Sequence, residues 1–195
     1  DVRLSRGLGD VYKRQLLRGC PEKVTLVQID AHADLRDELD GEPYSHACAI
    51  ARSLDEGALA VHQVGIRAYC RQEATLIDND ERIHTWFARD IMSPCTGAKA
   101  WSGWLESIKN IDGPVHLTVD IDGLDGSLVP ATGTPVPGGV TFWHVVETIE
   151  TVFANCNVIS ADVNEIVPQE DTPLTQFTAA MIATKIAAAH IATLR

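Results

Sequence analysis

The chain has 195 residues and a formal net charge of −11, with 45% hydrophobic and 22% charged side chains. That is enough to bury a core as one globular domain, and an acidic chain without a basic stripe excludes a nucleic-acid backbone as its natural partner. No apolar run approaches the roughly 18 residues of a membrane span, and five scattered cysteines with no CxxC pair favour reduced thiols in a cytoplasmic protein over a disulfide framework.

Residues 1–19, DVRLSRGLGDVYKRQLLRG, hold five basic and two acidic side chains, whereas the rest of the chain is strongly acidic. Glycines interrupt any helical pattern there, and the stretch reads as an artefactual leader ahead of a single domain over residues 20–195. KVTLVQID, residues 23–30, reads as a strand rich in β-branched residues, YSHACAIARSLDEG as a helix stopped by Gly57, and LAVHQVGIR as the next strand. RQEATLIDNDERIHTWFARD, residues 71–90, has helical composition, in two pieces around Asp78 to Asp80. DIMSP suggests a short strand, and KAWSGWLESIKN an amphipathic helix with Trp101, Trp104 and Leu105 inward. PVHLTVDID is a strand, TFWHVVETIETVFAN a helix and CNVISADVNEI a strand. A last Ala-rich helix follows, capped by Asp171 or Thr172, with Pro173 in its first turn and an apolar face of Leu174, Phe177, Met181, Ile186 and Leu194.

Strands and helices that alternate, with continuous apolar runs in the strands, predict a three-layer α/β fold: a mostly parallel sheet covered by helices on both faces. Ligands of such folds bind beyond the carboxyl ends of the strands. Two clusters stand there. In QIDAHADLRD, Asp30 ends a strand and His32 and Asp34 follow at intervals of two, which in an extended segment points all three the same way. In VDIDGLDG, Asp120 and Asp122 repeat the spacing. An isolated Asp-x-Asp is ordinarily a turn or a cap, but four carboxylates and an imidazole converging on one site repel one another unless a cation meets them. The oxygen-rich donor set with one nitrogen favours Mn²⁺, with Mg²⁺, Co²⁺ or Zn²⁺ as alternatives. Five ligands exceed the needs of one tetrahedral centre, so two ions sharing bridging carboxylates are the better reading. An acidic cleft of this kind suits a cationic substrate.

DAHADLRD, YSHACAIAR, VGIR, VDIDGLDGSLVPATGTPVPGG and ADVNEIVPQED, in this order, resemble the ureohydrolase family of arginases and agmatinases, most closely its bacterial agmatinase branch. The resemblance implies an arginase-like three-layer fold, usually oligomeric, with two Mn²⁺ per subunit and a small cationic guanidino substrate. The implied reaction is the hydrolysis of agmatine to putrescine and urea, a step of polyamine biosynthesis. By the same resemblance Asp30, His32, Asp34, Asp120 and Asp122 are metal ligands, with Asp30 and Asp120 bridging and Asp34 orienting the attacking water. His46 matches a proton shuttle, Glu165 a carboxylate that meets the guanidinium, and Thr134 a wall of the substrate pocket. The other five histidines and the four tryptophans match nothing catalytic. The family's upstream GGxH motif, source of one more histidine ligand, has no counterpart, since no histidine precedes His32. The resemblance therefore implies an N-terminally truncated ureohydrolase. Another guanidino or formimino substrate, such as guanidinobutyrate or formiminoglutamate, and a metal-binding but inactive fragment remain alternative readings.

Overall fold

The computed structural model describes residues 8–170 and 172–194. Five strands, β1 (Thr25–Ile29), β2 (Val61–Ile66), β3 (Ile83–Phe87), β4 (Pro114–Asp120) and β5 (Asn157–Asn164), form one parallel sheet in the order β3-β2-β1-β4-β5. The chain runs outward from β1 through β2 to β3, then returns to place β4 on the other side of β1. That reversal makes the crevice between the ends of β1 and β4 the topological switch point of the sheet.

The strands alternate their side chains between two layers. Val27, Ile29, Leu117 and Val119 meet Trp104, Ile108, Val145 and Ile149 in one core, contributed by α5 (Gly97–Lys109) and α6 (Phe142–Asn155). Leu26, Val61 and Ile66 meet Leu17, Ile50 and Leu54 in the other, under α1 (Leu8–Gly19) and α2 (Ala49–Asp55). The remaining helices are α3 (Arg71–Asn79), α4 (Ala88–Ile91) and α7 (Leu174–Thr193). Trp104 is fully buried and its indole N–H donates to Thr148 Oγ1 at 2.9 Å, so the largest core side chain also satisfies its polar end. Among the described residues no helix is long and apolar enough to cross a membrane, and all five cysteines are free thiols.

Four local expectations are corrected. Residues 8–19 form α1 despite their glycines, because Leu17 packs into the second core and Lys13 is buried, tertiary support that outweighs about 1 kcal/mol lost at a helical glycine. IHTWF, placed in a helical run, is strand β3 paired to β2, as its β-branched and aromatic residues prefer. The strand expected at DIMSP is instead the end of the one-turn helix α4. In α7, the face chosen from apolar spacing is largely outward: Phe177, Met181 and Leu194 are exposed, and Thr175, Thr178, Ala179 and Ile182 are buried. Ile182 joins the first core with Ala179, and Ile186 packs against it, so the helix turns a narrow face of mixed size inward. Its N-cap is Pro173, with no side-chain cap bond; Asp171 lies outside the described residues.

His62 on β2 is partly buried in this layer. Its ring tilts against His84 at 4.6 Å and stacks on Trp86 at 6.2 Å, and burial, then the neighbouring His84, pushes its pKa down to about 4 from 6.5. Between those values the unfolded chain binds a proton that the folded chain refuses, so stability is intact above about pH 6.5 and is lost as pH falls toward 4. His62→Gln is expected to flatten that part of the curve in urea denaturation followed from pH 7 to pH 4. An acid limb as steep as the parent's would show that this histidine does not carry it.

Candidate metal centre

Asp30 directly follows β1 and Asp120 ends β4, one position beyond the register pair Ile29↔Val119, so the sheet itself sets the two carboxylates side by side. The chain after β4 then turns through a 3₁₀ segment, Ile121–Gly123, in which the Asp120 carboxylate accepts from Asp122 N at 3.0 Å. This turn presses on Asp30. A Cβ at Gly123 would lie 2.7 Å from Asp30 N, and one at Gly65, where φ is +94°, would lie 2.8 Å from Asp30 O. Only glycine permits either approach.

His32, Asp30 and Asp122 have ligand atoms within 4.8 Å of one another. His32 Nδ1 stands 3.1 Å from Asp122 Oδ2 and 3.6 Å from Asp30 Oδ1. Backbone donors hold the same oxygens: His32 N to Asp30 Oδ1 at 2.7 Å and Ala31 N to Asp122 Oδ1 at 3.1 Å. Burial, then repulsion from Asp122, raises the pKa of Asp30. Burial and repulsion from Asp30 and Asp122 put Asp120 well above the carboxylate range. Burial works the same way on Asp122, but its bonds from His32 and Ala31 leave it below the usual value. His32 moves the other way: burial opposes its charge, yet the bonds to Asp122 and Asp30 push it up to about 10. The cluster thus stands short of positive charge. Oxygen donors with one imidazole fit a hard or borderline divalent ion, which on binding would displace the proton of His32.

Asp34, His46, Thr134 and Glu165 line one small cavity with His32, Asp120 and Asp122. The sequence-expected site residues are therefore brought to one place, with Asp34 and Asp120 at its wall and outside the tight trio. Asp34 and Glu165 both have left-handed backbones, with φ of 54° and 58°, a conformation uncommon for non-glycine residues and worth attention where it coincides with a site. His46 opens the turn before α2, where Ser45 caps the turn and its Oγ lies 3.4 Å from His46 Nδ1. Thr134 has a contact beyond the pocket wall expected of it: its hydroxyl donates to Asp122 Oδ2 at 3.1 Å. Gly133 leaves room beside Glu165, whose Oε2 would sit 3.4 Å from a Cβ there.

Three supports escaped the sequence reading. Thr85 donates to Gln63 Oε1 at 3.0 Å, Gln63 Nε2 to Gln28 Oε1 at 2.6 Å, and Gln28 Nε2 to Asp30 Oδ2 at 2.7 Å, a buried relay across three strands that aims Asp30. Arg67 donates to the carbonyls of Asp122, Gly123 and Leu124 on one loop and of Val136 and Pro137 on another, which ties the Gly/Pro-rich segment over the site. Lys13 and Asn164 also reach the cavity wall.

Fold and cluster together define an α/β protein with a candidate divalent-metal centre at its switch point. The chain matches the Arginase family over residues 7–189, a match that begins inside the basic N-terminal stretch. It is 35% identical over 175 residues to the N(1)-aminopropylagmatine ureohydrolase of Synechocystis sp., covering 89% of this chain and 54% of that protein. It is 33% identical over 145 residues to the agmatinase of Pyrococcus horikoshii, covering 74% and 48%. The solved structure of the agmatine ureohydrolase of Thermoplasma volcanium superposes with a TM-score of 0.77 at 27% identity, over 94% of this chain and 60% of that one. The chain belongs to the arginase family, and it spans about half the length of the curated relatives it matches.

The glycine contacts make a direct test. Gly123→Ala forces a Cβ into the backbone of Asp30, an overpacking expected to cost about 1–3 kcal/mol and to shift Asp30 away from Asp122. A lower urea midpoint together with weaker Mn²⁺ binding is the expected result. A variant matching the parent in both would mean that the turn does not seat the carboxylate.

Proposed function

We propose that the protein is a binuclear manganese hydrolase of a guanidino compound that releases urea, with agmatine as substrate and putrescine as the second product. The observation that carries this reading is the trio Asp30, His32 and Asp122 gathered within 4.8 Å, of which His32 and Asp122 line a cavity together with Glu165 and His46. Relatives named for ureohydrolase activity on agmatine and aminopropylagmatine support it, as does a 34%-identical guanidinobutyrase of Pseudomonas aeruginosa. In the proposed site Asp30, His32, Asp34, Asp120 and Asp122 would hold the metal pair. When bound, such a pair activates water at neutral pH and offsets the negative charge of its ligands.

The side chains of this chain do the rest. Glu165 accepts charge-assisted hydrogen bonds from the substrate guanidinium and so fixes the position of its central carbon. That carbon is a weak electrophile, stabilised by resonance, and its reaction depends on pose. Asp34 accepts a hydrogen bond from the attacking water and orients it. Water adds to the carbon, the bond to the alkyl-bearing nitrogen breaks, and His46 delivers the proton that lets the amine leave. Thr134 keeps Asp122 in position, and the segment tied down by Arg67 limits solvent entry.

Urea release measured with agmatine, N(1)-aminopropylagmatine, guanidinobutyrate and arginine, with and without Mn²⁺, tests the reading. Mn²⁺-dependent release, greatest with agmatine, is expected; no release from any of the four, with Mn²⁺ bound, would favour an inactive metal-binding chain. Two variants separate the roles. Asp120→Ala should lose bound metal by elemental analysis, whereas His46→Ala should keep its metal and lose about 10²–10⁴-fold in kcat. Metal loss in His46→Ala would make His46 a ligand.

A further inference from the structure

Asn164 closes β5, and its register partner is Asp120 at the end of β4. Asp30 stands beyond the end of β1 on the other side of Asp120, so three adjacent strand ends present Asp30, Asp120 and Asn164 in a row. Neighbouring parallel strands lie about 4.8 Å apart, which puts cross-strand side chains of one face within reach of a common ion.

The amide of Asn164 is held in one orientation. Its Nδ2 donates to Asp162 Oδ1 at 3.3 Å, and that same oxygen accepts from Thr118 Oγ1 at 2.7 Å. The other oxygen of Asp162 lies 3.1 Å from His116 Nε2, and His116 Nδ1 lies 2.8 Å from Ser160 Oγ. His116 and Thr118 are buried. With its nitrogen committed to Asp162, the amide turns its oxygen away from that network. Asn164 Oδ1 is buried without a hydrogen-bond partner, and the residue lines the cavity it shares with His32, Asp120 and Glu165. A buried carbonyl oxygen left unsatisfied is costly and rare enough in native proteins to require a reason. Ionised acids beside it are acceptors only and do not serve it. A hard cation can, because an asparagine carbonyl is an ordinary ligand for one.

We propose that Asn164 Oδ1 is an additional oxygen ligand of the metal pair, on the β5 side of Asp120, and that Asp162, Thr118 and His116 form the buried support that aims it. The inference rests on the metal reading of the site and deepens it. It also gives the polar face of β4 and β5 a purpose, since ligands of a metal ion depend on outer partners to fix their orientation.

The test is a titration of the full chain with Mn²⁺ alone, by calorimetry and by electron paramagnetic resonance, beside thermal unfolding of the same samples after chelation. Asn164→Leu is expected to weaken one Mn²⁺ step by at least about tenfold, since loss of a mere outer partner already costs about that much. Asn164→Asp retains an oxygen at the same place and is expected to bind at least as tightly as the parent. An Asn164→Leu isotherm that matches the parent's overturns the proposal, and so does an Asn164→Asp variant as weak as the Leu variant. Unchanged Mn²⁺ binding with a raised KM for agmatine would also overturn it, by assigning the oxygen to the substrate. A parent chain that takes up no Mn²⁺ overturns the metal reading itself, whereas parental uptake left untouched by both variants overturns this inference alone.

Discussion

Carboxylates buried side by side at the ends of adjacent strands are the constraint on which this structure turns. Asp30, Asp120 and Asp122 are almost wholly removed from solvent, and the effective penalty for burying an ion is several kcal/mol even after relaxation. Proximity adds repulsion. The chain answers with donors aimed at single oxygens: the backbone N–H groups of Ala31, His32 and Asp122, and the amide of Gln28 at the end of its relay. These donors fix direction more than they remove charge. His32 brings a positive charge into contact and pairs chiefly with Asp122, while Asp30 and Asp120 remain raised. A cluster this well oriented and this poorly neutralised is preorganised for a cation.

Orientation of that quality depends on backbone features far from the carboxylates in sequence. The sheet sets the spacing, and Gly65 and Gly123 let neighbouring segments close on Asp30. Gly139 permits a similar approach to Leu124, where a Cβ would lie 2.4 Å from the carbonyl carbon. Arg67 then donates to carbonyls of these turns, those of Gly65, Asp122, Gly123 and Leu124. A guanidinium serves because its five N–H donors spread in a plane, whereas a lysine ammonium offers three from one point. Its charge also lies in the field of Asp122 and Asp30, which counter the effect of its burial.

The sequence made some of this legible and hid the rest for a physical reason. Asp30, His32, Asp34, Asp120 and Asp122 could be picked out because period-two spacing at the end of an apolar run is a local pattern, and the alternation of strands and helices pointed to the parallel sheet. Gln28 and Gln63 could not. Inside apolar runs they look like single polar interruptions, and their meaning lies in contacts with residues 35 and 22 positions away. Asn164, inside the stretch read as a strand, went unnoticed for the same reason, because its neighbours are defined by the β4–β5 register. Strand β3 was hidden differently: no glycine or proline separates it from α3, so a helical composition ran on into a β-branched stretch. The buried face of α7 was misjudged because Thr175, Thr178 and Ala179 are buried beside Ile182, whereas the larger Phe177 and Met181 face outward.

Strain completes the account. Among the described residues three non-glycine residues have positive φ, and two of them are Asp34 and Glu165, both in the cavity wall. Such conformations cost of order 1–3 kcal/mol each and persist where the surroundings enforce them. At Asp34 the enforcement is visible, since its carbonyl accepts from both Ile50 N and Ala51 N at the start of α2. At Glu165 the carbonyl accepts from Thr132 Oγ1 at 2.9 Å, which pins the residue to the Gly/Pro-rich segment. Both strained residues are thus anchored through the main chain, which leaves their carboxylates to be positioned by the cavity. Desolvated acids and strained backbone lie on the same side of the free-energy balance, and a cation held by the Asp30, His32 and Asp122 cluster would relieve part of it. Binding to the folded state alone would then raise stability in proportion to affinity and ion concentration.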